Sequence, residues 1–191
     1  MAKPNPNNSI RLIAGQWRGR RLPVLDKPGL RPTTDRVRET VFNWLMTEVA
    51  DTRCLDLFAG TGALGLECLS RGAKFVQFVE RDRQVSAALQ QNLDSLNAGE
   101  RAQCWTGTAG DFLSSHQSTE MFGLVFLDPP FADAAVTNIA QQLDESGCLR
   151  SDALVYVETD NDQPPPLLPE RWQVYRSKSA GQSRYELYSL V

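Results

Sequence analysis

The stretch LVFLDPPF, residues 124–131, ends an apolar run with groups that could hold an amine on a flat ring. Asp128 offers a carboxylate, Pro129 a carbonyl oxygen on a stiffened backbone, and Phe131 a face on which a base can stack. An exocyclic amine is a poor nucleophile because its lone pair is delocalised, so groups that accept its hydrogens make it more reactive. These three residues are therefore candidate catalytic residues. A strand-ending turn without chemistry is the alternative.

The glycine-rich stretch LDLFAGTGALG, residues 55–65, is a candidate for cofactor binding. Gly60, Gly62 and Gly65 form a G-x-G-x-x-G pattern between an apolar run and a helical pattern. Glycines there let the backbone approach a ligand, and a helix N-terminus favours hydrogen-bond acceptors. The same pattern also fits glycines that are needed only for tight packing of a helix on a strand.

Two acids flank the glycines and favour one kind of cofactor. Asp56 lies inside an apolar run, where an acid needs a partner. Glu80 ends the next apolar run, at a spacing that lets an acid accept both hydroxyls of a ribose. An acid just ahead of the glycines disfavours a pyrophosphate but suits an ammonium group. S-adenosylmethionine has an ammonium group, a ribose and no phosphate, so Asp56 favours it over a dinucleotide.

The elements that would position these residues alternate along the chain. From residue 53 onward, short apolar runs alternate with helical spacing, which predicts βαβ units and a parallel sheet covered on both faces. The strand before Asp128 should lie beside the strand before the glycines, at the crevice where such sheets bind ligands. WQVYRSKS and SRYELYSLV predict a final hairpin, and IRLIAG and RRLPVL a small first one. Apolar spacing predicts a helix over 36–49.

Composition narrows the chemistry further. The 191 residues include one histidine, His116, which disfavours most zinc sites and Ser-His-Asp hydrolases. The net charge of −3 hides an asymmetry, since residues 1–50 carry nine Lys/Arg and four Asp/Glu and the remainder eleven and nineteen. A basic N-terminal segment in an otherwise acidic chain predicts a local contact with a polyanion. We expect a basic extension over 1–35, with a disordered start, a hairpin and a loop, and a catalytic domain over 36–191.

Taken together, the motifs resemble those of class I S-adenosylmethionine-dependent methyltransferases. DLFAGTGALGLE and FVE are similar to their cofactor motifs, and DPPF to their amino-methylating loop. IRLIAGQWRGRRLPV and GLRPTTDRVRETVFNWL resemble the bacterial RsmD family, which methylates N2 of guanine 966 in 16S ribosomal RNA. The resemblance covers nearly the whole chain. It implies an α/β, Rossmann-like sheet of seven strands, mostly parallel, with the final strand antiparallel.

The resemblance also implies which residues hold the cofactor. Those around its methionine part would be Asp56, Phe58, Ala59, Gly60, Thr61 and Gly62. Glu80 would hold the ribose and Arg81 would flank the adenine. Where the family often has Asp or Asn at the adenine, this chain has Thr108. Either Thr108 with Ala109 or Asp111 would make that contact, and no metal site is expected.

Basic residues near the start of the chain are candidates for RNA contact. The arginines are Arg18, Arg20, Arg21, Arg31, Arg36 and Arg38, and the aromatic Trp17 lies among them as a further candidate. Beside a base-modifying site they fit phosphate contacts as a group, although any single arginine could form a solvated salt bridge. Trp17 is either a stacking platform or a core residue of the hairpin. Arg38, or Thr33 with Thr34, could instead reach the carboxylate of the cofactor.

The resemblance implies a methyltransferase that acts on 16S rRNA. A cytoplasmic monomer is the default expectation, and the small N-terminal extension favours a small-subunit particle over free rRNA as the substrate. No apolar stretch approaches the ~20 residues that cross a membrane. An adenine-N6 DNA methyltransferase is an alternative, although such enzymes usually need an additional recognition region. A protein glutamine methyltransferase would typically have Asn in place of Asp128. A non-catalytic assembly factor is disfavoured by the intact cofactor loop, and a nicotinamide oxidoreductase by Asp56.

Overall fold

The computed structural model of the chain describes residues 4–28, 30, 33–115, 120–130 and 136–191. Three residues considered from the sequence, Arg31, His116 and Phe131, lie outside the described residues. Residues 1–3 of the expected disordered start also lie outside them.

The main sheet has the arrangement that the alternating pattern predicts. Its strands are β3 (Arg53–Asp56), β4 (Phe75–Glu80), β5 (Ala102–Thr106), β6 (Phe122–Leu127), β7 (Leu149–Asp160), β8 (Trp172–Ala180) and β9 (Ser183–Leu190). Within the described residues these seven strands lie in the order β5-β4-β3-β6-β7-β9-β8. Strands β3 to β7 run parallel, and β9 is antiparallel to both of its neighbours. The predicted mostly parallel sheet with a C-terminal antiparallel hairpin is confirmed.

Helices cover both faces of this sheet. They are α1 (Asp35–Trp44), α2 (Ala63–Ser70), α3 (Arg83–Ser95), α4 (Ala109–Ser115) and α5 (Val136–Glu145). Phe42, Leu66 and Leu89 of α1, α2 and α3 share one core with Phe126 of β6. The next residue back along β6, Val125, faces the other core, into which α4 and α5 pack. Alternate residues of a buried strand thus serve two helical layers, as a doubly covered parallel sheet requires. No helix within the described residues combines the length and the apolar character needed to cross a membrane.

Helix α1 is shorter than the predicted 36–49 and ends at Trp44. Leu45 and Val49 are buried, as their spacing suggests, but they lie in turns. The chain then passes through Asp51, whose φ of +59° redirects it towards β3. Apolar spacing therefore identified the buried residues but overestimated the helix, because a tight turn can bury the same side chains.

The N-terminal hairpin forms as predicted, from β1 (Pro4–Arg11) and β2 (Arg21–Leu25). The expectation of a disordered start is wrong for residues 4–9, which belong to β1. Pairing of Pro4 opposite Leu25 gives this polar segment backbone partners that its composition does not reveal. Ile10 and Leu22 are buried in the same core as α1, α2 and α3, so the hairpin packs directly on the catalytic domain.

A buried acid on α2, Glu67, fastens the segment after β1 to the domain. Its oxygens accept the backbone N–H groups of Ile13 at 2.8 Å and Ala14 at 3.0 Å. They also accept Nε of Arg71 at 2.8 Å, and Nη1 of Arg38 lies 3.6 Å away. Both oxygens of Glu67 thus have hydrogen-bond partners, whereas Nε and Nη1 of Arg38 are buried without a hydrogen bond to any described residue, and the group joins the hairpin to α2.

A glycine allows the closest approach at this junction. Gly15 has a φ of +79°, and a Cβ atom built on it would lie 1.8 Å from the carbonyl oxygen of Ser70. The next residue, Gln16, donates its backbone N–H to the same oxygen at 2.7 Å. The hairpin can therefore lie against the end of α2 only because residue 15 has no side chain.

Candidate active site

The carboxyl ends of β3 and β6 bring the two motifs together, as their predicted order requires. Asp56 lies opposite Phe126 in parallel register, so Asp128 follows two residues beyond the position opposite Asp56. The backbone N–H of Leu57 donates to the carbonyl of Phe126 at 3.1 Å and continues the pairing past the end of β3. Both loops therefore leave the same edge of the sheet, where open α/β folds bind ligands.

The glycines between β3 and α2 serve two different purposes. Gly60 and Gly62 have φ values of +51° and +79°, and Gly62 caps α2 without a side-chain hydrogen bond. Gly65 instead permits packing, since a Cβ atom there would lie 2.2 Å from the ring of Phe78. Gly60 thus fits the cofactor interpretation and Gly65 the packing alternative, while Gly62 fits both, since a Cβ atom there would lie 2.4 Å from a methyl group of Leu89. The other predicted loop residues differ in exposure: Phe58 is half-buried, whereas Ala59 and Thr61 are buried.

Asp56 is 2% exposed and sits under the N-terminus of α2. One of its oxygens accepts the backbone N–H of Gly65 at 3.2 Å. Burial, with a further contribution from the charge of Glu80, raises the pKa of Asp56 to about 7, although hydrogen bonds from Gly65 and Phe58 partly offset the rise. Because ionisation of this carboxyl is unfavourable in the folded protein, a nearby cation would stabilise its charged form. A positively charged group near Asp56 would therefore find a favourable partner there.

Glu80 joins the glycine loop to the turn after β4. One oxygen accepts the backbone N–H of Gly60 and the other that of Asp82, both at 2.8 Å. Asp82 in turn caps α3, as an aspartate directly before a helical pattern indicates, by accepting the N–H of Gln84 at 2.9 Å. Each oxygen of Glu80 keeps a second lone pair that a ribose hydroxyl could use. Arg81, expected at the adenine, is exposed beside it.

The two alternatives for the adenine contact lie side by side. The hydroxyl of Thr108 donates to a carboxylate oxygen of Asp111 at 2.7 Å and accepts the Asp111 N–H at 3.1 Å. Thr108 thereby caps α4, while Ala109 is buried. The sequence offered Thr108 and Asp111 as separate candidates, and the structure links them in one exposed unit.

Asp128 at the end of β6 is partly exposed as a residue, but its carboxyl group is enclosed by protein, and Pro129 behind it is buried. The hydroxyl of Thr33, in the loop before α1, donates to Asp128 at 3.3 Å. Burial raises the pKa of Asp128 well above its usual value, and the charges of Glu158 and Asp56 raise it further, against the opposing effect of Thr33. A carboxyl in this state is a stronger base than an exposed aspartate.

The loop between β2 and α1 contacts the turn after β4, the glycine loop and Asp128. The sequence analysis placed only its two threonines, Thr33 and Thr34, near the cofactor. Nζ of Lys27 pairs with the carboxylate of Asp82 beyond β4. A Cβ atom on Gly60 would lie 3.4 Å from a methyl group of Leu30. The third contact is that of Thr33 with Asp128. These contacts place the loop beside the predicted cofactor and amine positions.

Four of the predicted RNA-contacting arginines are exposed: Arg18, Arg20, Arg21 and Arg36. Trp17 is half-buried and packs against the core under Arg101, whose guanidinium lies 5.4 Å from the indole ring centre. Of the two roles considered for Trp17, the core role accounts for these contacts.

The assignment of Arg38 to RNA contact is wrong. Its side chain is 1% exposed, and Nη2 donates to Asp35 at 2.6 Å and to the carbonyl of Arg11 at 2.8 Å. With Glu67 near Nη1, these contacts make the guanidinium part of the junction between the hairpin and α2. The helical spacing does not indicate that Arg38 is buried, because its partner Glu67 is distant in the chain.

Two further buried residues near the site were missed from the sequence. The hydroxyl of Tyr156 on β7 donates to the carboxylate of Glu158 at 2.7 Å, and Glu158 is 7% exposed. The sequence signal for Glu158 was the same as that for Asp56, namely an acid in an apolar run. Among the described residues, no three His, Cys, Asp or Glu side chains are grouped so that they could hold a metal ion.

Comparison with known proteins identifies the family of this chain. A family model described as Conserved hypothetical protein 95 matches residues 10–189. Ribosomal RNA small subunit methyltransferase D of Escherichia coli (strain K12) is 49% identical, over 98% of this chain and 94% of that protein. The protein of the same name from Haemophilus influenzae is 46% identical, over 97% and 96%. The solved structure of Escherichia coli yhhF has a TM-score of 0.88 and 45% identity, covering 96% of this chain and 98% of that one. The chain therefore belongs to the RsmD family of methyltransferases, as the resemblance of its motifs predicted.

Proposed function

We propose that this protein transfers the methyl group of S-adenosylmethionine to the exocyclic N2 amine of a guanine, guanine 966, in 16S ribosomal RNA. The observation that carries the proposal is the pairing of β3 with β6, which sets Asp128 beside Asp56 and the glycine loop. The names of the relatives support small-subunit ribosomal RNA as the substrate class. The guanine and its position rest on the resemblance of the N-terminal motifs.

The glycine loop and its flanking acids would hold the cofactor. S-adenosylmethionine supplies a methyl group on a positively charged sulfur atom. Asp56 gains from a positive neighbour because burial and Glu80 oppose its ionisation. Glu80 can accept ribose hydroxyls with lone pairs that Gly60 and Asp82 leave free. The Thr108–Asp111 unit offers polar groups for the adenine edge.

Asp128 and the carbonyl of Pro129 would accept the two hydrogens of the amine, with Phe131 against the ring. Holding the amine in line with the methyl group accounts for much of the rate enhancement expected for such a transfer. The methylated nitrogen must then lose one proton. Asp128, whose pKa is raised by burial and by Glu158 and Asp56, is the base that we assign to this step.

The exposed arginines of the hairpin and α1 would contact phosphates around the target. We propose that the monomeric protein acts in the cytoplasm on a small-subunit particle rather than on free RNA. A hairpin of this size offers little surface with which to select one loop of a large RNA unaided. Arg18, Arg20, Arg21 and Arg36 supply positive charge without an established salt-bridge partner among the described residues.

The test offers labelled S-adenosylmethionine with unmodified small subunits, free 16S rRNA, DNA and protein, followed by nucleoside analysis. We expect N2-methylguanosine in the small-subunit RNA, and more from particles than from free RNA. Label in N6-methyladenosine of DNA, or in protein, would replace the proposal by one of the alternatives. Binding to particles without any transfer would identify an assembly factor.

A further inference from the structure

Two tyrosine–glutamate pairs of identical spacing lie on adjacent strands and face opposite sides of the sheet. In β7 the hydroxyl of Tyr156 donates to Glu158 at 2.7 Å. In β9 the hydroxyl of Tyr188 donates to Glu186, also at 2.7 Å. Glu186 lies opposite Val157, the neighbour of Glu158, so the two acids point to opposite faces. One pair therefore provides a control for the other.

The register of the sheet places Glu158 next to Asp128. Phe126 and Leu127 of β6 lie opposite Tyr156 and Val157 of β7, and Asp128 and Glu158 follow directly. Side chains at aligned positions of parallel strands share a face. Both acids thus extend the face on which Phe126 packs against Tyr156, with ring centres 5.8 Å apart.

The groups that face Glu158 include little positive charge. On its own strand the neighbour is Tyr156, and on the β6 side it is Asp128, with Asp56 on β3 beyond it. On the β9 side Glu158 lies opposite the buried Tyr185, which in turn lies opposite the exposed Lys178 of β8. Within the described part of the chain, no lysine or arginine is within ion-pairing distance of Glu158 or Asp128.

Burial and the charge of the adjacent Glu158 raise the pKa of Asp128, and among the described residues no cation lies beside the pair. Glu158 itself is held by a short hydrogen bond from the hydroxyl of Tyr156. The hydroxyl of Thr33 makes a longer contact with Asp128, at 3.3 Å. Asp128 is therefore the less compensated of the two carboxyls, and in its carboxylate form it is the one placed to take up a proton.

We propose that Glu158, held by Tyr156 beside Asp128, is a positioning residue that makes Asp128 a stronger base for the proton released by the methylated amine. This inference rests on the proposed methyl transfer. In that reaction the amine lone pair forms the N–C bond, and the electrons of the C–S bond stay on sulfur. One proton then passes from nitrogen to the Asp128 carboxylate. A sulfonium cation, a primary amine and a carboxylate thus become a neutral thioether, a neutral secondary amine and a protonated carboxyl.

The experiment compares the wild type with Glu158→Gln and the matched control Glu186→Gln. The pH dependence of kcat is measured on unmodified small subunits with saturating S-adenosylmethionine. The titration of Asp128 is followed separately by carboxyl ¹³C NMR without substrate, with the resonance assigned through Asp128→Asn. For Glu158→Gln we expect the Asp128 titration and the acid limb of kcat to move down by about one pH unit, and the plateau kcat to fall about tenfold. Cofactor affinity should change less than about twofold, and Glu186→Gln should match the wild type.

A second matched pair, Tyr156→Phe and Tyr188→Phe, keeps both acids and guards against a failure of Glu158→Gln to fold. Loss of the Tyr156 hydroxyl removes the hydrogen bond that holds the Glu158 carboxylate beside Asp128, so Asp128 should again titrate at lower pH. The inference is overturned if the Asp128 titration is the same in the wild type, Glu158→Gln and Tyr156→Phe. Absence of methyl transfer by the wild type would instead contradict the proposed function. The NMR titration would still test the carboxyl pair in that case.

Discussion

Buried acids occur in two regions of this protein, and their surroundings differ. At the junction of the hairpin with α2, Glu67 is 0% exposed and is matched by two backbone N–H groups and two guanidinium groups. At the carboxyl ends of β3 and β6, where we propose methyl transfer, the charge of at least one other acid opposes the ionisation of Asp56 and of Asp128. Few hydrogen-bond donors of the described residues contact either carboxyl. A satisfied buried acid stabilises the fold, whereas an unsatisfied one stores an unfavourable charge that a cationic ligand or a proton can relieve.

The largest expected effect comes from Asp128→Asn. It keeps the shape of the side chain but removes the base, so kcat/KM should fall about 1000-fold, equivalent to about 4 kcal/mol. Cofactor affinity should stay within a few-fold, and the free energy of unfolding should be unchanged or higher, because one of the mutually repelling acids is gone. Methyl transfer, calorimetry and urea unfolding measure the three quantities. Asp152→Asn, at the amino end of β7, is the control. Near wild-type transfer by Asp128→Asn would remove the carboxylate from the mechanism.

Asp56→Asn should change how stability depends on pH. The pKa of Asp56 is raised from 3.8 to about 7 in the folded state, so between these values the folded protein retains a proton that the unfolded chain has lost. Asp56 therefore makes its full contribution to the free energy of unfolding below about pH 4. This contribution declines as the pH rises towards 7, by up to about 4 kcal/mol. Urea unfolding without cofactor should show this decline in the wild type relative to Asp56→Asn. Parallel stability curves for the two proteins would show that Asp56 is not held in an unfavourable state.

Glu67→Gln should lower the stability of the fold and leave methyl transfer nearly unchanged, which is the opposite of the effects expected for Asp128→Asn. Removing the charge leaves the buried Arg38 with less compensation, so the free energy of unfolding should fall by about 3 kcal/mol. At a temperature where the variant is folded, methyl transfer should stay within a few-fold of the wild type. Glu48→Gln changes an exposed acid and serves as the control. A variant that keeps its stability but loses activity would break the division between the two regions.

The smallest effect concerns the exposed arginines, in contrast to the buried Arg38. Reversal of Arg18, Arg20 and Arg21 to glutamate should weaken binding to small subunits at least about tenfold at 0.15 M salt. It should also reduce the slope of log affinity against log salt by about two, because phosphate contacts are lost. Arg150→Glu, at the amino end of β7, is the control. An unchanged slope would mean that the hairpin arginines are only a solvated surface.

The parts of the fold that depend on local pattern could be predicted from the sequence. Alternating strands and helices led to the parallel sheet, and the order of strands led to the adjacency of Asp56 and Asp128. The cap at Asp82 was also readable, because an N-cap aspartate precedes its helix directly. Each of these inferences needs only neighbouring residues or the general rules of chain topology.

Contacts between distant segments could not be predicted in this way. Nothing near Arg38 in sequence indicates that Glu67 will bury it, and nothing near Thr33 indicates a bond to Asp128. Such pairs form only after the hairpin and the loop before α1 have packed on the domain. An acid in an otherwise apolar segment, as at Glu67 and Glu158, was the available signal that a partner must exist, although not which partner.

The contact of Gly15 with Ser70 holds the hairpin as close to the end of α2 as two backbones can lie. Because one hydrogen atom separates the hairpin from the end of α2, the reach from the exposed arginines to the carboxyl ends of β3 and β6 has a fixed minimum. Any side chain at position 15 would push the two surfaces apart and lengthen that reach. In the proposed function, Gly15 would therefore set the distance between the phosphates that the arginines contact and the base that is methylated.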